Sequence, residues 1–180
     1  IIPTIPYMED LQGLPVIHIR RVPLNDPVNA AIKRAVDIVG AIVGIVLFSP
    51  IMLIVAVLIK LTSPGPIIFC QERVGLHNRP FKMYKFRSMT VQDPSKEKSR
   101  WTTKGDARVT LIGKIIRRTS IDEVPQFFNI LMGDMSLVGT RPPLPGEVSE
   151  YEIHHRARLA IKPGITGMWQ VSGTSDITDF

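Results

Sequence analysis

The hydrophobic pattern of the chain is dominated by residues 38–59, which carry no charge and only one ordinary polar side chain, Ser49. At about 1.5 Å per residue, a helix of this length can cross the apolar core of a bilayer. The segment lacks the polar face of a soluble surface helix, and it lies too far along the chain for a signal peptide. The pattern therefore predicts a membrane helix over residues 30–62.

A proline interrupts this apolar segment near its centre. Pro50 removes one backbone hydrogen bond and favours a bend, and the neighbouring Ser49 can satisfy a carbonyl that the proline leaves free. Lys33 and Arg34 precede the apolar run and Lys60 follows it, a charge pattern typical of two cytoplasmic flanks. We therefore expect a re-entrant helical hairpin that breaks at Ser49-Pro50 and returns to the same side of the membrane, in preference to a full span.

Extended segments lie on both sides of the predicted membrane helix. Residues 1–29 hold five of the fifteen prolines and two extended patches, which is typical of the tail of a preceding domain followed by a linker. Turn residues at 64–66 and 75–80 bound an apolar strand at 67–71. This second pattern predicts a small β-hairpin.

Three helices are predicted in the second half of the chain. Apolar residues recur at helical spacing over 111–116. A second helix is expected to begin near Ser120 and to run to about Leu131, with Gly133 as its end. A third, charged helix is expected over residues 147–161, between two segments rich in glycine and proline.

The pattern as a whole indicates an α+β fold that is mainly α. Its expected elements are the membrane helical hairpin, the small β-hairpin and several amphipathic or surface helices. A length of 180 residues with 44% apolar content is enough to build a core. We expect 1–29 to be a tail plus linker, 30–62 the re-entrant helix, and 63–180 a cytoplasmic domain with a truncated carboxyl terminus.

Charge and cysteine content narrow the classes of partner. The formal net charge of +6 favours nucleic acid, an anionic membrane surface or phosphorylated substrates. The single cysteine, Cys70, excludes an internal disulfide framework and a cysteine-based zinc site. A run of cations without acids forms either a surface that lies on lipid headgroups or a diphosphate site. Its members are Arg73, Arg79, Lys82, Lys85 and Arg87.

Two adjacent carboxylates occur in the sequence RRTSIDEVPQ, just before an apolar run. Ser120 and Glu123 have the spacing of a capping box, so the acids could serve only to begin a helix. Pro125 fits that register poorly, because its missing N–H falls just past the first turn. The helix could therefore begin later or be distorted at this point.

Asp122 is the more informative of the two acids. It is expected at the amino terminus of a helix, near Arg117 and Arg118, where its ionised form is favoured. A carboxylate in such a position is suited to hold a divalent cation or to attack phosphorus, with Glu123 as a second ligand or proton carrier. Spacing alone leaves the helix cap and the catalytic role open.

Several motifs, in order along the chain, resemble those of the bacterial sugar transferase family, the monotopic phosphoglycosyl transferases. They are KR before the membrane run, Ser49-Pro50 within it, SPGPIIFCQERVG, KFRSM, RRTSIDEVPQFFNILMGDMSLVGTRP and KPGITGMWQVSG. The resemblance covers Lys33 to about Asp176, and GLPVIHIRRVPL is similar to the end of the extra domain of larger members. It implies transfer of a sugar 1-phosphate from a UDP-sugar to polyprenyl (undecaprenyl) phosphate, with release of UMP through a covalent intermediate.

The resemblance also implies roles for individual residues. Asp122 corresponds to the nucleophile and a Mg²⁺ ligand, and Glu123 to its partner in a catalytic dyad. The positions that match substrate-binding motifs are Lys85, Arg87, Arg117, Gln126 and Arg141. Residues 63–180 would then be the catalytic domain of an enzyme that initiates exopolysaccharide, capsule or O-antigen synthesis. The resemblance places the active site at the membrane interface, surrounded by the predicted hairpins and helices, because one substrate is soluble and the other is a lipid.

The partners implied by the resemblance are a UDP-sugar, polyprenyl phosphate and membrane lipids, without nucleic acid. The implied location is the bacterial inner membrane with the catalytic domain facing the cytoplasm, and a homo-oligomer formed through an upstream domain is left open. Glucose or galactose is favoured as the sugar, with N-acetylated hexoses also open. The alternative function is a non-catalytic, membrane-anchored binding or scaffold module.

The chain departs from the family pattern at three places. Thr174 stands where an arginine is usual, which puts one phosphate contact in doubt, and Thr140 stands where a proline is usual. The downstream acidic motif of the family would lie beyond Phe180. We therefore expect part of the active site to be missing from these residues.

Overall fold

The computed structural model describes residues 7–11, 14–18, 26–90, 108–151 and 155–167. These residues form a mixed fold, mainly helical, with one long apolar helix and three two-stranded sheets. The chain divides into two compact units, Ile1–Val36 and Asp37–Phe180. The predicted combination of helices and small sheets is confirmed.

The first unit holds a two-stranded antiparallel sheet. β1 (Tyr7–Leu11) pairs with β2 (Leu14–His18). The first turns of α1 (Pro27–Thr62) belong to the same unit. They follow Asp26, whose Oδ1 accepts a hydrogen bond from the Val28 amide at 2.8 Å. This cap satisfies one of the amides that a first helical turn leaves unpaired.

α1 continues into the second unit and is long and apolar enough to cross a membrane, judged by length and composition alone. The hydroxyl of Ser49 donates to the Val46 carbonyl at 2.8 Å. Val46 lies four residues before Pro50, so the hydroxyl replaces the hydrogen bond that the proline cannot donate. The predicted role of Ser49 is confirmed. The predicted break at Ser49-Pro50 is not seen, since α1 is a single helix through this point.

Small residues let α1 approach the rest of the second unit closely. A Cβ atom at Gly40 would lie 2.5 Å from Leu137 Cδ1, and one at Gly44 would lie 2.7 Å from the ring of Phe127. Glycine or alanine at four-residue spacing is typical of tight helix packing in membranes. The core beside these glycines consists of Ala41, Met83, Ile130 and Met135.

A second apolar core lies further along the same helix. It consists of Val55 and Ile59 of α1 together with Phe86 and Ile116. α1 therefore contributes buried side chains to both cores of the second unit. This sharing fixes the helix to the unit along much of its length.

The predicted β-hairpin is confirmed as β3 (Ile68–Val74) and β4 (Pro80–Phe86). The register places Phe69 opposite Lys85 and Arg73 opposite Phe81. Directly opposed residues share a face of the hairpin, and so do residues an even number of positions apart on one strand. Phe69 and Arg73 are four positions apart on β3, so Arg73 lies on the same face as Lys85.

The side chain of Asn129 closes the outer edge of β4. Its Oδ1 accepts from the Tyr84 amide at 3.0 Å, and its Nδ2 donates to the Lys82 carbonyl at 2.7 Å. The amide group therefore pairs with β4 as a neighbouring strand would. Because Asn129 is fully buried, these bonds fix β4 against the helix that contains Asn129, residues Gln126–Met132.

The helix predicted over 111–116 is confirmed as α2 (Leu111–Arg118). It begins at Thr110, whose hydroxyl accepts a hydrogen bond from the Gly113 amide at 2.9 Å. A Cβ atom at Gly113 would lie 1.9 Å from the Ser88 carbonyl oxygen, so only glycine fits where α2 crosses the end of the hairpin.

The helix predicted from Ser120 to Leu131 is divided into two pieces. A 3₁₀ turn, Ile121–Glu123, is followed after Pro125 by α3 (Gln126–Met132). Ser120 has a φ of 56° and its side chain makes no cap hydrogen bond, so the capping box, one of the alternatives left open, does not form. A capping serine needs an extended backbone, which this left-handed residue lacks. The later helix start expected from Pro125 is confirmed, because α3 begins at Gln126. Gly133 ends α3 with a φ of 95°, as predicted.

The last elements are short. β5 (Ser136–Val138) pairs in parallel with β6 (Gly164–Thr166). Between them lie α4 (Pro145–Ser149) and a 3₁₀ segment, His155–Ala160. The single charged helix predicted over 147–161 is therefore wrong, because α4 ends at Ser149; residues 152–154 lie outside the described part of the chain.

Candidate active site

Asp122 lies in the tight turn between α2 and α3. Ser120 reverses the chain with a left-handed backbone, and Pro125 separates the turn from α3. Asp122 is buried, with 9% of its surface exposed. The predicted nucleophile is therefore held on a 3₁₀ turn instead of the first turn of a regular helix.

β4 brings a cation to the neighbouring carboxylate. Lys85 Nζ donates to Glu123 Oε1 at 2.6 Å, and both side chains are partly exposed. The two residues are 38 positions apart in the chain, so only the fold brings them together. This ion pair joins two of the predicted site residues.

The surroundings of Asp122 act on its pKa in opposing directions. Burial raises the pKa above its usual value; Lys85 lowers it, Glu123 raises it, and Arg117 and the residue's own backbone amide lower it. The net direction is upward because desolvation is the largest influence. The expectation that the surroundings favour the ionised form is therefore wrong in direction, since sequence spacing showed the cation but not the burial.

Arg73 is a further cation near the dyad, and sequence reasoning named it only as one of a run. Its pKa is lowered, first by burial and then by Arg141, while Glu147 and Glu123 raise it. It thus lies within electrostatic range of both the dyad and the loop that carries Arg141. The shared hairpin face of Arg73 and Lys85 was the signal that could have identified it.

The other predicted substrate-binding residues take different positions. Arg117 is exposed in the last turn of α2, within electrostatic range of Asp122. Gln126 is buried at the start of α3, four residues after Asp122. Arg141 is exposed in the loop after β5. Electrostatic range links Arg117 to Asp122 and Arg141 to Arg73.

Arg87 has a different environment from Lys85. Its guanidinium is buried and donates to the Ser63 carbonyl at 2.7 Å, to the Ser63 hydroxyl at 2.7 Å and to the Pro64 carbonyl at 2.6 Å. It therefore binds the backbone just after α1. This arrangement gives Arg87 a structural role and offers no support for the predicted substrate contact.

Asp37 fixes α1 to the second unit at the other end of the apolar run. Asp37, of which only 2% is exposed, accepts from Ser136 Oγ at 3.1 Å and from the Leu137 amide at 3.0 Å. The carboxylate connects α1 to β5. Asp37 and Arg87 together hold two distant points of the helix to the same unit.

The carboxylates of the turn fit a magnesium ion. In the described ranges no three histidine, cysteine, aspartate or glutamate side chains come together as a metal site. Mg²⁺ does not require such a group, because it is commonly held by one or two carboxylates, substrate phosphates and water. Asp122 and the adjacent Glu123 supply oxygen ligands of this kind. Predictions that fall on residues 168–180, including Thr174, lie outside the described residues.

Comparison with known proteins gives consistent matches. The sequence profile described as bacterial sugar transferase matches residues 28–180. The chain is 50% identical, over 82% of its length, to the UDP-N-acetylgalactosamine-undecaprenyl-phosphate N-acetylgalactosaminephosphotransferase of Aeromonas hydrophila. It is 44% identical, over 95% of its length, to the UDP-glucose:undecaprenyl-phosphate glucose-1-phosphate transferase of Klebsiella pneumoniae. It is 47% identical, over 82% of its length, to the galactosyl transferase CpsE of Streptococcus agalactiae.

The aligned part covers 36%, 37% and 35% of these three relatives, so the chain spans about a third of their length. The family profile, in contrast, covers the whole of the second unit and the whole of the candidate site. On these matches, the chain belongs to the bacterial sugar transferase family.

Proposed function

We propose that this chain is the catalytic part of an enzyme that transfers a sugar 1-phosphate from a UDP-sugar to undecaprenyl phosphate and releases UMP. The observation that carries the proposal is the buried Asp122 beside the Lys85–Glu123 ion pair. The names of the relatives support it, because they describe phosphotransferases that act on undecaprenyl phosphate. A whole polysaccharide pathway would begin with such a step.

The proposed reaction has two displacements at one phosphorus atom. A carboxylate oxygen of Asp122 attacks the sugar-bearing phosphorus of the UDP-sugar, and the bond from that phosphorus to the UMP oxygen breaks. A phosphate oxygen of undecaprenyl phosphate then attacks the same phosphorus and releases the Asp122 carboxylate. The products are UMP and a lipid diphosphate sugar, so that all atoms and charges balance.

The residues around Asp122 suit this chemistry. Transfer of a phosphoryl group concentrates negative charge, and cations positioned in advance stabilise that charge. Lys85 and Arg117 lie within electrostatic range of Asp122, and both favour its ionised form against the effect of burial. Mg²⁺ held by Asp122 would neutralise diphosphate charge when bound. Glu123 holds Lys85 in place through their ion pair.

We also propose that α1 enters and leaves the same face of the membrane. Asp37 and the residues at Ser63 lie at opposite ends of the apolar run, and both are bound to the second unit. Between them, Phe48 stacks on Phe127 with ring centroids 6.3 Å apart. A straight crossing would require the second unit to contact the helix on both sides of a bilayer. A bend at Pro50 allows both ends to stay with one unit.

Exposed apolar side chains support contact with lipid. On α1 they include Val39, Val43, Val46, Leu47, Leu53, Ile54 and Leu61. Two shorter helices add pairs four residues apart, Leu111 and Ile115 on α2 and Phe128 and Met132 on α3. Helices with one exposed apolar row and neighbouring cations lie at the surface of membranes. We propose the bacterial inner membrane with the catalytic domain on the cytoplasmic side.

The sugar is left open by the relatives, because their names specify N-acetylgalactosamine, glucose and galactose. The proposed function is tested by incubating the full-length protein in membranes with undecaprenyl phosphate, Mg²⁺ and each of these UDP-sugars. Release of UMP with at least one donor is expected. Incubation with donor alone should leave a phosphosugar adduct on the peptide that contains Asp122, detected by mass spectrometry.

Two results would contradict the proposal in different ways. No UMP release with any of the three donors would favour the alternative of a membrane-anchored scaffold module. Release of UMP without any adduct on Asp122 would leave the activity but remove the covalent intermediate.

The topology is tested by cysteine labelling with a membrane-impermeant reagent. Cys70 is exposed in the second unit and reports the side of the catalytic domain. In a Cys70→Ser background, Ala31→Cys and Thr62→Cys mark exposed positions near the two ends of α1. We expect both to be labelled from the same side as Cys70. Labelling from opposite sides would establish a full span.

A further inference from the structure

We infer that Arg73 is a positioning residue for Arg141, because it fixes the loop from which Arg141 reaches the substrate. The inference rests on the proposed function, in which Arg141 binds an anionic group of the substrate. It concerns a side chain to which the matched site motifs gave no role of its own. The argument uses the hydrogen bonds on each side of Arg141.

On one side, β3 binds two successive carbonyls of the loop. Arg73 Nη1 donates to the Pro142 carbonyl at 2.9 Å, and the Val74 amide donates to the Pro143 carbonyl at 3.0 Å. The guanidinium is itself oriented by Gln71, whose Oε1 accepts from Nε at 3.3 Å and from Nη2 at 2.9 Å. The fork of Arg73 therefore connects a strand of the hairpin to the residue next to Arg141.

On the other side, Thr140 is bound to a different part of the unit. Its hydroxyl donates to the Arg158 carbonyl at 3.1 Å, and its carbonyl accepts from the Gly164 amide at 2.9 Å. Arg141 is thus an exposed residue between two fixed neighbours. The two prolines that follow it restrict the backbone further. The departure from the usual family residue at position 140 supplies a hydroxyl bond that proline could not make.

A buried guanidinium is costly unless its hydrogen bonds are made, which indicates that the position has a specific use. Lysine could not replace it, because an ammonium group cannot bind Gln71 and the Pro142 carbonyl with the same planar fork. The nearby charge of Arg141 also disfavours the charged form of Arg73. An anionic group bound at Arg141 would relieve this repulsion, so substrate binding and the position of the loop support each other.

The test is a double-mutant cycle in the full-length protein, with the UDP-sugar that gives the highest UMP release. Arg73→Lys keeps the charge but removes the fork, and we expect kcat/KM for the donor to fall by about tenfold to a hundredfold. In an Arg141→Lys background, which keeps some activity to measure, the same change should cost no more than about twofold. Arg156→Lys is the matched control and should leave kcat/KM unchanged, because Arg156 is exposed on the 3₁₀ segment His155–Ala160 and has no assigned role in the site.

Each outcome decides the inference. An equal loss from Arg73→Lys in both backgrounds would show that Arg73 acts independently of Arg141, and no loss in either would show that the fork is not needed. Both results overturn the inference while leaving the proposed function intact. Absence of UMP release from the unmodified protein would instead contradict the proposed function.

Hydrogen exchange supplies a readout that does not depend on activity. The Val74 amide is protected by the Pro143 carbonyl, so its exchange reports whether the loop is in place. We expect Arg73→Lys to accelerate exchange at Val74 and to leave the amides of α3 unchanged. Unchanged exchange at Val74 would overturn the inference even if activity falls.

Discussion

Two buried aspartates, Asp37 in α1 and Asp122 in the turn, differ in the contacts that the fold gives them. Asp37 meets a hydroxyl and a backbone amide, both at hydrogen-bonding distance. Asp122 lies among the charges of Lys85, Arg117 and Glu123, and burial raises its pKa. The partners of the first carboxylate include two donors that are fixed parts of the fold. The second pays for its burial and is therefore the one suited to take up a metal ion or a phosphoryl group.

The comparison shows that burial alone does not identify a catalytic acid. A buried carboxylate with fixed donors on a structural element holds the fold together, because removing it leaves those donors unsatisfied. A buried carboxylate that is stabilised mainly by neighbouring charges remains available for a ligand. Substitution of Asp37 should therefore lower mainly stability, and substitution of Asp122 should lower mainly activity.

The largest expected effect is on activity at Asp122. Asp122→Asn removes the nucleophile but keeps the shape of the side chain, so UMP release should fall by about a thousandfold or more. The control is Asp134→Asn, the same change at an acid beyond the end of α3, which should retain activity. Turnover close to that of the unmodified protein would exclude Asp122 as the nucleophile.

The same substitution should stabilise the protein at neutral pH. A folded-state pKa above the unfolded value means that stability is greatest when Asp122 is protonated and is lost as the pH rises through that pKa. Asn mimics the protonated form, so the Tm of Asp122→Asn should exceed that of the unmodified protein at pH 7.5. The difference should disappear on acidification below the pKa of an unfolded aspartate. A lower Tm at pH 7.5 would contradict the assigned direction.

The second effect is on stability at Asp37. Asp37→Ala leaves the Leu137 amide and the Ser136 hydroxyl without this acceptor, at a cost of about 3 kcal/mol. For a chain of this size the Tm should fall by about 6–12 °C. Asp37→Asn keeps one acceptor oxygen and should lose less. UMP release per folded molecule should change little at low temperature, and a large selective loss of turnover would contradict the structural role.

A smaller effect is expected where α1 packs on α3. Gly44→Ala places a Cβ atom 2.7 Å from the ring of Phe127, whereas Gly146→Ala meets nothing within 4 Å. Both changes favour a helix, so their difference isolates the crowding at Gly44, which should cost about 1–3 kcal/mol. Thermal unfolding in detergent measures that difference. Equal Tm values for the two variants would show that α1 does not pack closely at this point.

The smallest effect is a shift in the pH profile. Lys85 lowers the pKa of Asp122 against the effect of burial. Lys85→Met should therefore move the acidic limb of kcat/KM to higher pH, whatever its effect on the maximum rate. Lys82→Met, on the opposite face of β4, is the control and should leave the limb unchanged. If the acidic limb does not move in Lys85→Met, Lys85 does not influence the pKa of the group that the limb reports.

Local patterns predicted much of the fold. The hairpin, α2, the end of α3 at Gly133 and the bond made by Ser49 each depend on residues close in sequence. The predictions that were wrong also concern local geometry, but at those positions a nearby residue disfavours the structure that the pattern indicated. Pro125 and the left-handed Ser120 replace one regular helix by a 3₁₀ turn and α3. The position of Pro125 indicated a distortion here, but spacing alone could not show the left-handed backbone of Ser120.

The sequence named residues of the candidate site but did not show their environment. Motifs named Lys85, Asp122 and Glu123, and the structure brings them together. Burial of Asp122 and the bonds of Arg87 to the end of α1 depend on contacts between distant segments. Lys85 and Arg87 lie two residues apart and have similar sequence signals, yet only Lys85 contacts the dyad. Charge and spacing cannot separate such a pair without the packing of the elements around it.

The amide of Asn129 also has a consequence between molecules. A hairpin of two strands exposes an unpaired edge on each side, and such edges recruit strands from other copies of a protein. Asn129 occupies the Tyr84 amide and the Lys82 carbonyl on the outer edge of β4. These two groups are therefore not available to a strand of a neighbouring copy, which makes intermolecular β-sheet pairing at the middle of this edge less favourable.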